Sequence, residues 1–188
     1  MPKYDSDIQY IIDEDSFSKL FNRCNKDSER SWITVLWLTA CRPAEAMLIL
    51  KKDITFLEDG RIEFKLATKK LGHKGKFIVS TRKLILKIDT NSRYYRILQR
   101  YLNRFKKDTE RIFQFSIKTG YNIVNRIGWD ALGISICPYN FRHSRLTLLA
   151  EGGATEPELM RFKGATDRKS VRPYLHARKV EATVEVEI

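Results

Sequence analysis

The residues best placed to do chemistry lie in the run Pro138–Arg145 (PYNFRHSR). A proline at the first position of a helix leaves no orphan amide behind, so Pro138 marks a helix start that continues through Leu146, Leu148, Leu149 and Ala150. Arg142, His143 and Arg145 then fall within its first turns, crowding cationic and polar tips at one helix end. Helix N-termini attract anions, and a guanidinium presents a planar fork that matches two phosphate oxygens. Taken alone, the run reads either as a phosphate clamp or as a basic surface helix.

Two other places carry constrained cations. Arg42 sits between Cys41 and Pro43, at a tight junction between an apolar helical segment and a short helix opened by the proline. The stretch from Thr68 to Lys76 (TKKLGHKGK) is a lysine-rich loop. Other chemistries find no support. The histidines (His73, His143, His176) and cysteines (Cys24, Cys41, Cys137) show no metal-ligand spacing. No phosphate-cradling or dinucleotide-binding glycine loop and no nucleophile elbow is present.

Composition narrows the partner. The 188 residues suffice for one domain with a real core, and 43% hydrophobic content with ten Phe and eight Tyr argues for a folded globule. Thirty-five Lys and Arg against 23 Asp and Glu give a net charge of +12, an excess that points to a polyanion, nucleic acid first. No apolar run is long enough to span a bilayer, Met1–Gln9 lacks the apolar core of a signal peptide, and the scattered, odd-numbered cysteines read as small buried residues in a reducing compartment. An intracellular location (cytoplasm, nucleoid, or host cytoplasm for a viral protein) is expected.

The elements that must position these residues can be sketched from pattern. Asp13 or Asp15 caps a helix to about Cys24, and Ser28 or Ser31 opens a second over Trp32–Thr39, apolar nearly all round and hence buried. Pro43 starts a third to Ile49. Ile54–Phe56, a turn at Glu58–Gly60 and Ile62–Leu66 form a β-hairpin, and a strand returns at Phe77–Val79, with Leu84–Ile88 its continuation or a separate strand. Helices follow from Asn91 or Ser92 to about Lys106, over Tyr121–Leu132, from Pro138, and from a Thr155/Glu158 capping box to about Phe162. The acidic–apolar alternation of Glu181–Ile188 suggests a last strand. The fold class is mainly α with a small antiparallel sheet (α+β). Residues 1–10 read as a polar tail, 11–178 as one domain and 179–188 as a C-terminal tail.

Three boxes in order carry a family resemblance. Thr39–Ile54 (TACRPAEAMLILKKDI) resembles the first catalytic box of tyrosine recombinases, the phage-integrase family: an arginine at a helix junction, Glu three positions on, then Leu–x–x–Asp–Ile into the hairpin. Asn140–Thr147 (NFRHSRLT) resembles the second box, and Lys163–Gly164–Ala165 with Tyr174–Leu175–His176 the third, with the family's usual nine-residue step from Ala165 to Tyr174. The style is closest to archaeal viral and plasmid integrases, and the likeness covers roughly residues 10–178.

The resemblance implies a DNA breaking-and-rejoining catalytic domain of a site-specific recombinase or integrase. Tyr174 would attack a phosphodiester of double-stranded DNA to give a 3′-phosphotyrosine, without metal or other cofactor. Arg42 and Arg142 would hold the non-bridging oxygens, and a hairpin lysine, Lys69 before its rivals Lys70, Lys74 and Lys76, would protonate the leaving 5′-oxygen. Those rivals, with His143, Arg145 and Arg168, are expected to line the DNA, and residues 179–188 to dock in trans in a dimer or tetramer. Two positions depart from the family: Tyr139 stands in place of the second-box histidine and Ala165 in place of the third-box His or Trp. Tyr139 can still hydrogen-bond a phosphate, whereas Ala165 offers no side-chain donor, and Lys163 or Arg168 is a candidate substitute. Two alternatives follow: a catalytically weak or degenerate DNA-binding protein of the same fold, and a type IB topoisomerase-like nicking–closing enzyme.

Overall fold

The computed structural model describes residues 10–71 and 77–175. Among the described residues seven α-helices, besides a short helical piece at 172–175, accompany a three-stranded antiparallel sheet, as the α+β reading expects. Helix α1 (Glu14–Asn22) is capped by Asp13, whose carboxylate accepts the Ser16 amide. Helix α2 (Asp27–Thr39) is the spine, buried continuously from Ser31 to Trp37 and packed against α1, α4 (Arg93–Leu102), α5 (Ile117–Leu132) and α6 (Pro138–Glu151). It starts before the expected Ser28 and without a side-chain cap. Asp27 instead collects Arg100 of α4 and Arg104, just past the end of that helix, at 3.0 and 2.7 Å, tying the first turn of α2 to its neighbour. Aromatic rings fill the space around the spine: Phe17 stacks on Trp37 at 5.0 Å, and Trp32 meets Phe113 and Phe115 edge-on. Gly120 lets α5 approach, since a Cβ there would lie 2.7 Å from the Trp32 ring.

The third helix, α3 (Pro43–Ala46), is shorter than its sequence pattern suggests. Leu50 leaves the helical path to bridge Arg111, the Ile112 amide donates to Ile49 at 3.1 Å, and a 3-10 turn (Lys51–Asp53) leads into the sheet. Strands β1 (Ile54–Phe56), β2 (Arg61–Leu71) and β3 (Phe77–Lys87) lie in the order β1-β2-β3. The first turn closes at Gly60, with φ of 80°. Thr68–Leu71, read from sequence as loop, is strand, because it continues the ladder opposite Phe77–Ser80; Leu84–Lys87 likewise continues β3. Ile62, Phe64 and Leu66 of β2 are buried, and opposite them on β3 stand Leu86, Leu84 and Arg82.

Helix α7 (Glu156–Lys163) opens with the expected capping box: Glu158 Oε2 accepts both the amide and the hydroxyl of Thr155. It ends at Gly164 in the left-handed region, φ 68°. After a 3-10 turn (Arg168–Ser170), a short helical piece at 172–175 carries Tyr174. A second apolar cluster of Ala40, Leu146, Ala150, Leu159, Val171 and Tyr174 fixes that piece to α6 and to the end of α2. Tyr10 already packs on the core and bonds Ser16, and the Ile12 amide donates to Ser144 on α6. Residues 1–9, residues 72–76 with His73, Lys74 and Lys76, and residues 176–188 with His176 and the expected last strand lie outside the described residues.

Candidate active site

The site is built at the junction between α2 and α3. Helix α2 ends on Ala40 with φ 46°, the left-handed conformation, which costs a residue bearing a Cβ roughly 1–2 kcal/mol. That turn aims the Ala40 carbonyl at α6, where it accepts from Arg142 Nη1. Arg142 Nη2 donates to the carbonyl of Lys163 at 2.9 Å. One buried guanidinium thus joins the end of α2 to the end of α7. Burial, and after it the positive charge of Arg42, push Arg142 down to about 10, a value at which it stays charged near neutral pH.

Arg42 caps α3 two residues beyond Ala40 and is the more open of the two arginines, its side chain 38% exposed. It pairs with Glu45 at 2.8 Å, and Glu45 Oε2 also accepts the Arg42 amide at 3.0 Å. Thr68 Oγ1 of β2 donates to Glu45 Oε1 at 2.8 Å, and Arg82 of β3 binds Oε2 at 2.9 Å. Burial would raise the Glu45 carboxyl, but the Arg82 hydrogen bond and charge, the Arg42 amide and Thr68 outweigh it and hold the group at about 2. Around this ionised carboxylate stand three guanidinium groups, Arg42, Arg82 and Arg142, so the cluster among the described residues carries positive charge in excess. Such an excess in a half-buried place favours an incoming anion.

Tyr174 completes the arrangement from the other side. It is 6% exposed, and its hydroxyl lies 3.3 Å from Nδ1 of His143, the residue after Arg142. The Lys163 ammonium lies 5.1 Å from the Tyr174 ring centroid and donates to the Ser170 carbonyl. Lys163 therefore contacts Arg142 through its carbonyl and Tyr174 through its ammonium. By sequence the chain is 27% identical over 165 residues to tyrosine recombinase XerA of Saccharolobus solfataricus strain P2, an alignment covering 88% of this chain and 51% of that protein. In structure it matches XerA recombinase with a TM-score of 0.72 at 16% identity, over 95% of this chain and 65% of that one. The chain has the tyrosine recombinase catalytic fold. It also matches the XerH site-specific recombinase bound to its difH substrate in a pre-cleavage complex, with a TM-score of 0.69 at 21% identity, over 92% of this chain and 52% of that one. The chain thus spans about half the length of the curated relative it matches. No protein-family model matches it.

Within this recombinase fold the expected site residues part into groups. Arg42, Arg142 and Tyr174 come together with Glu45, His143 and Lys163. Lys69 and Lys70 lie on β2 directly after Thr68, whose hydroxyl reaches Glu45. Tyr139 is half-buried in the first turn of α6. Ala165 follows the α7 cap, and its amide donates to Met160 at 2.9 Å. Arg145 is directed elsewhere, over the Trp37 ring at 5.7 Å, and Arg168 pairs with Glu156 at the surface, its side chain 76% exposed. Arg82 escaped the sequence reading. The signal was there: it occupies the core-facing register of β3, opposite Leu66 and in phase with Leu84 and Leu86. An arginine in that register needs a buried partner. Among the described residues no cluster of His, Cys, Asp and Glu could hold a metal, and no helix is long and apolar enough to cross a membrane.

Proposed function

We infer that this chain is the catalytic domain of a site-specific DNA recombinase or integrase, cleaving and rejoining duplex DNA through a phosphotyrosine at Tyr174. The observation that carries this reading is the convergence of Arg142 and Tyr174 on Lys163, with Arg42 close enough for its charge to depress Arg142. A phosphodiester placed there would meet two arginines suited to its non-bridging oxygens and a tyrosine hydroxyl suited to in-line attack. The O3′–P bond is retained: the Tyr174 hydroxyl gives up its proton as its oxygen bonds to phosphorus, the P–O5′ bond breaks, and the 5′-oxygen takes up one proton and leaves as a hydroxyl, so no net proton is gained or lost. Lys69 is the proposed donor of that proton, with Lys70, Lys74 and Lys76 as alternatives. Attack of a 5′-hydroxyl from another strand reverses the step and releases the tyrosine. No bond energy is lost, so the exchange needs no external energy source.

Tyr174 is almost wholly buried beside His143, so the hydroxyl must become accessible when DNA is engaged. Net charge of +12 supports duplex DNA as the partner, and the location would be wherever that DNA resides, inside a cell. Assembly of a dimer or tetramer on the DNA accompanies this reading, since exchange requires two duplexes.

A duplex nicked just 3′ of the scissile phosphate provides the test, because the small released fragment cannot religate. The wild-type chain is expected to form a denaturant-stable protein–DNA adduct, and Tyr174→Phe none. Absence of the adduct in the wild type, or its persistence in Tyr174→Phe, sinks the enzyme reading and leaves a DNA-binding protein of this fold. Supercoiled plasmid and half-sites in parallel separate strand exchange from simple relaxation, which would favour the topoisomerase-like alternative.

A further inference from the structure

The carboxylate of Glu45 is held from two sides. Arg42 approaches it from α3 and Arg82 from β3, the strand that pairs with the one carrying Lys69. Arg82 is mostly buried, its side chain 13% exposed, and its Nε is a buried donor to which the described residues supply no acceptor. Its Nη1 lies 3.4 Å from Thr68 Oγ1. On its far side it presses against Gly164: a Cβ built there would fall 2.7 Å from Nη1 and 2.9 Å from Cδ. Arg82 therefore touches three pieces of the site at once: the α3 carboxylate, the β2 residue before Lys69, and the turn that follows the Lys163 carbonyl.

We propose that Arg82 is a positioning residue of the phosphate site, gripping Glu45 so that Arg42, the Lys69 strand and the Gly164 turn are held in one working arrangement. The proposal rests on the phosphotyrosine reading above. Without Arg82, Glu45 would be a buried carboxylate short of its principal partner. Among the described residues, the charged or titratable groups that face it are Arg42 from the cap of α3, Arg82 from β3, Arg142 from α6 and the neighbouring Cys41; Thr68 donates to it from β2, one residue before Lys69. Of these, Arg82 does most to keep the carboxyl ionised against burial. Its removal lets the carboxyl take up a proton at a higher pH, and a protonated Glu45 no longer holds Arg42 in place.

The test compares wild-type, Arg82→Gln, Arg82→Lys and Glu45→Gln chains on the nicked duplex under single-turnover conditions. Arg82→Gln is expected to slow adduct formation about tenfold to a hundredfold while duplex affinity, spread over many phosphates, changes by less than about threefold. Relative to wild type, its rate should fall further as the pH is lowered from about 8 to about 5, and this extra fall should vanish when Glu45→Gln is added. Arg82→Lys should recover part of the rate and restore the wild-type pH profile, because an ammonium still keeps Glu45 ionised. A rate and profile for Arg82→Gln equal to wild type overturns the proposal, as does a loss that is independent of pH and unaltered by lysine. If Arg82→Gln does not fold, Arg82→Lys decides: an undiminished rate there overturns the need for the guanidinium fork. A wild-type chain that forms no adduct defeats the phosphotyrosine reading instead. In that event carbon-13 titration of Glu45 reports on Arg82 directly, and an unmoved midpoint in Arg82→Lys and Arg82→Gln rejects the grip.

Discussion

The hydroxyl of Tyr174 lies 3.3 Å from Nδ1 of His143, and the two rings are 5.5 Å apart between centroids. The contact joins α6 to the 172–175 piece, bringing the proposed nucleophile to the residue directly after Arg142. His143, read from sequence as a DNA-lining residue, is thus a partner of the tyrosine. Its ring lies against the phenol and offers the hydroxyl a hydrogen-bond partner.

His143→Ala removes the packing and the hydrogen bond together. We expect adduct formation on the nicked duplex to slow by about tenfold or more, in line with the usual contribution of a group that orients a nucleophile. Tyr174→Phe, by contrast, deletes one oxygen whose net hydrogen-bond contribution is about 1 kcal/mol. Its urea midpoint should therefore stay near that of wild type while the adduct disappears. A Tyr174→Phe chain that unfolds would mean that the hydroxyl is needed for folding.

Arg142 is structural and electrostatic at once. Arg142→Ala leaves the Ala40 and Lys163 carbonyls without the donor they share, and each buried group so orphaned costs about 1–3 kcal/mol. Urea denaturation should show a loss of about 2–5 kcal/mol, enough to blur any kinetic reading. Arg142→Lys keeps the charge but cannot span both carbonyls, and it should lose adduct formation with a smaller loss of stability. Equal stability of Arg142→Ala and wild type would contradict the bridge between α2 and α7.

Much of this site was legible in the sequence because its signals are local. Pro138 fixed the start of α6, Pro43 placed Arg42 at a helix cap, and Thr155 with Glu158 fixed the start of α7. What was hidden depends on pairings across the chain. Glu45 meets Arg82 over 37 residues and His143 meets Tyr174 over 31, and neither contact follows from periodicity within one element. The first part of the lysine-rich stretch was misread for a related reason: lysines lower strand propensity, yet the ladder opposite Phe77–Ser80 holds Thr68–Leu71 as strand. The start of α2 was misplaced because Asp27 is fixed by Arg100 of α4 and Arg104 just beyond it, more than 70 residues away.

Glu45 also makes stability depend on pH in a direction that can be worked out. Its carboxyl is held at about 2, below an ordinary value of 4.5, so folding favours the ionised form. The stability this lends is present above about pH 4.5 and is lost as the pH falls toward 2. Other lowered carboxylates, Asp27 among them, act in the same sense. Glu45→Gln should therefore be less stable than wild type near neutral pH, with the difference shrinking as the pH drops to about 2. Thermal unfolding at stepped pH measures this, and a difference independent of pH would show that the Glu45 charge does not stabilise the cluster.

Gly164 carries two constraints. Its φ of 68° is a conformation that L side chains rarely adopt, and a Cβ there would meet the Arg82 side chain at 2.7 Å. Gly164→Ala should cost about 1–2 kcal/mol from the backbone alone, read as a lowered urea midpoint. The added methyl also displaces Arg82 from Glu45, so adduct formation should slow in Gly164→Ala and not slow much further when Arg82→Gln is combined with it. Such non-additivity is the mark of two residues acting through one contact. Fully additive losses in the double variant would mean that the glycine serves only to end α7, and that the close fit between its backbone and the Arg82 guanidinium has no part in holding the carboxylate.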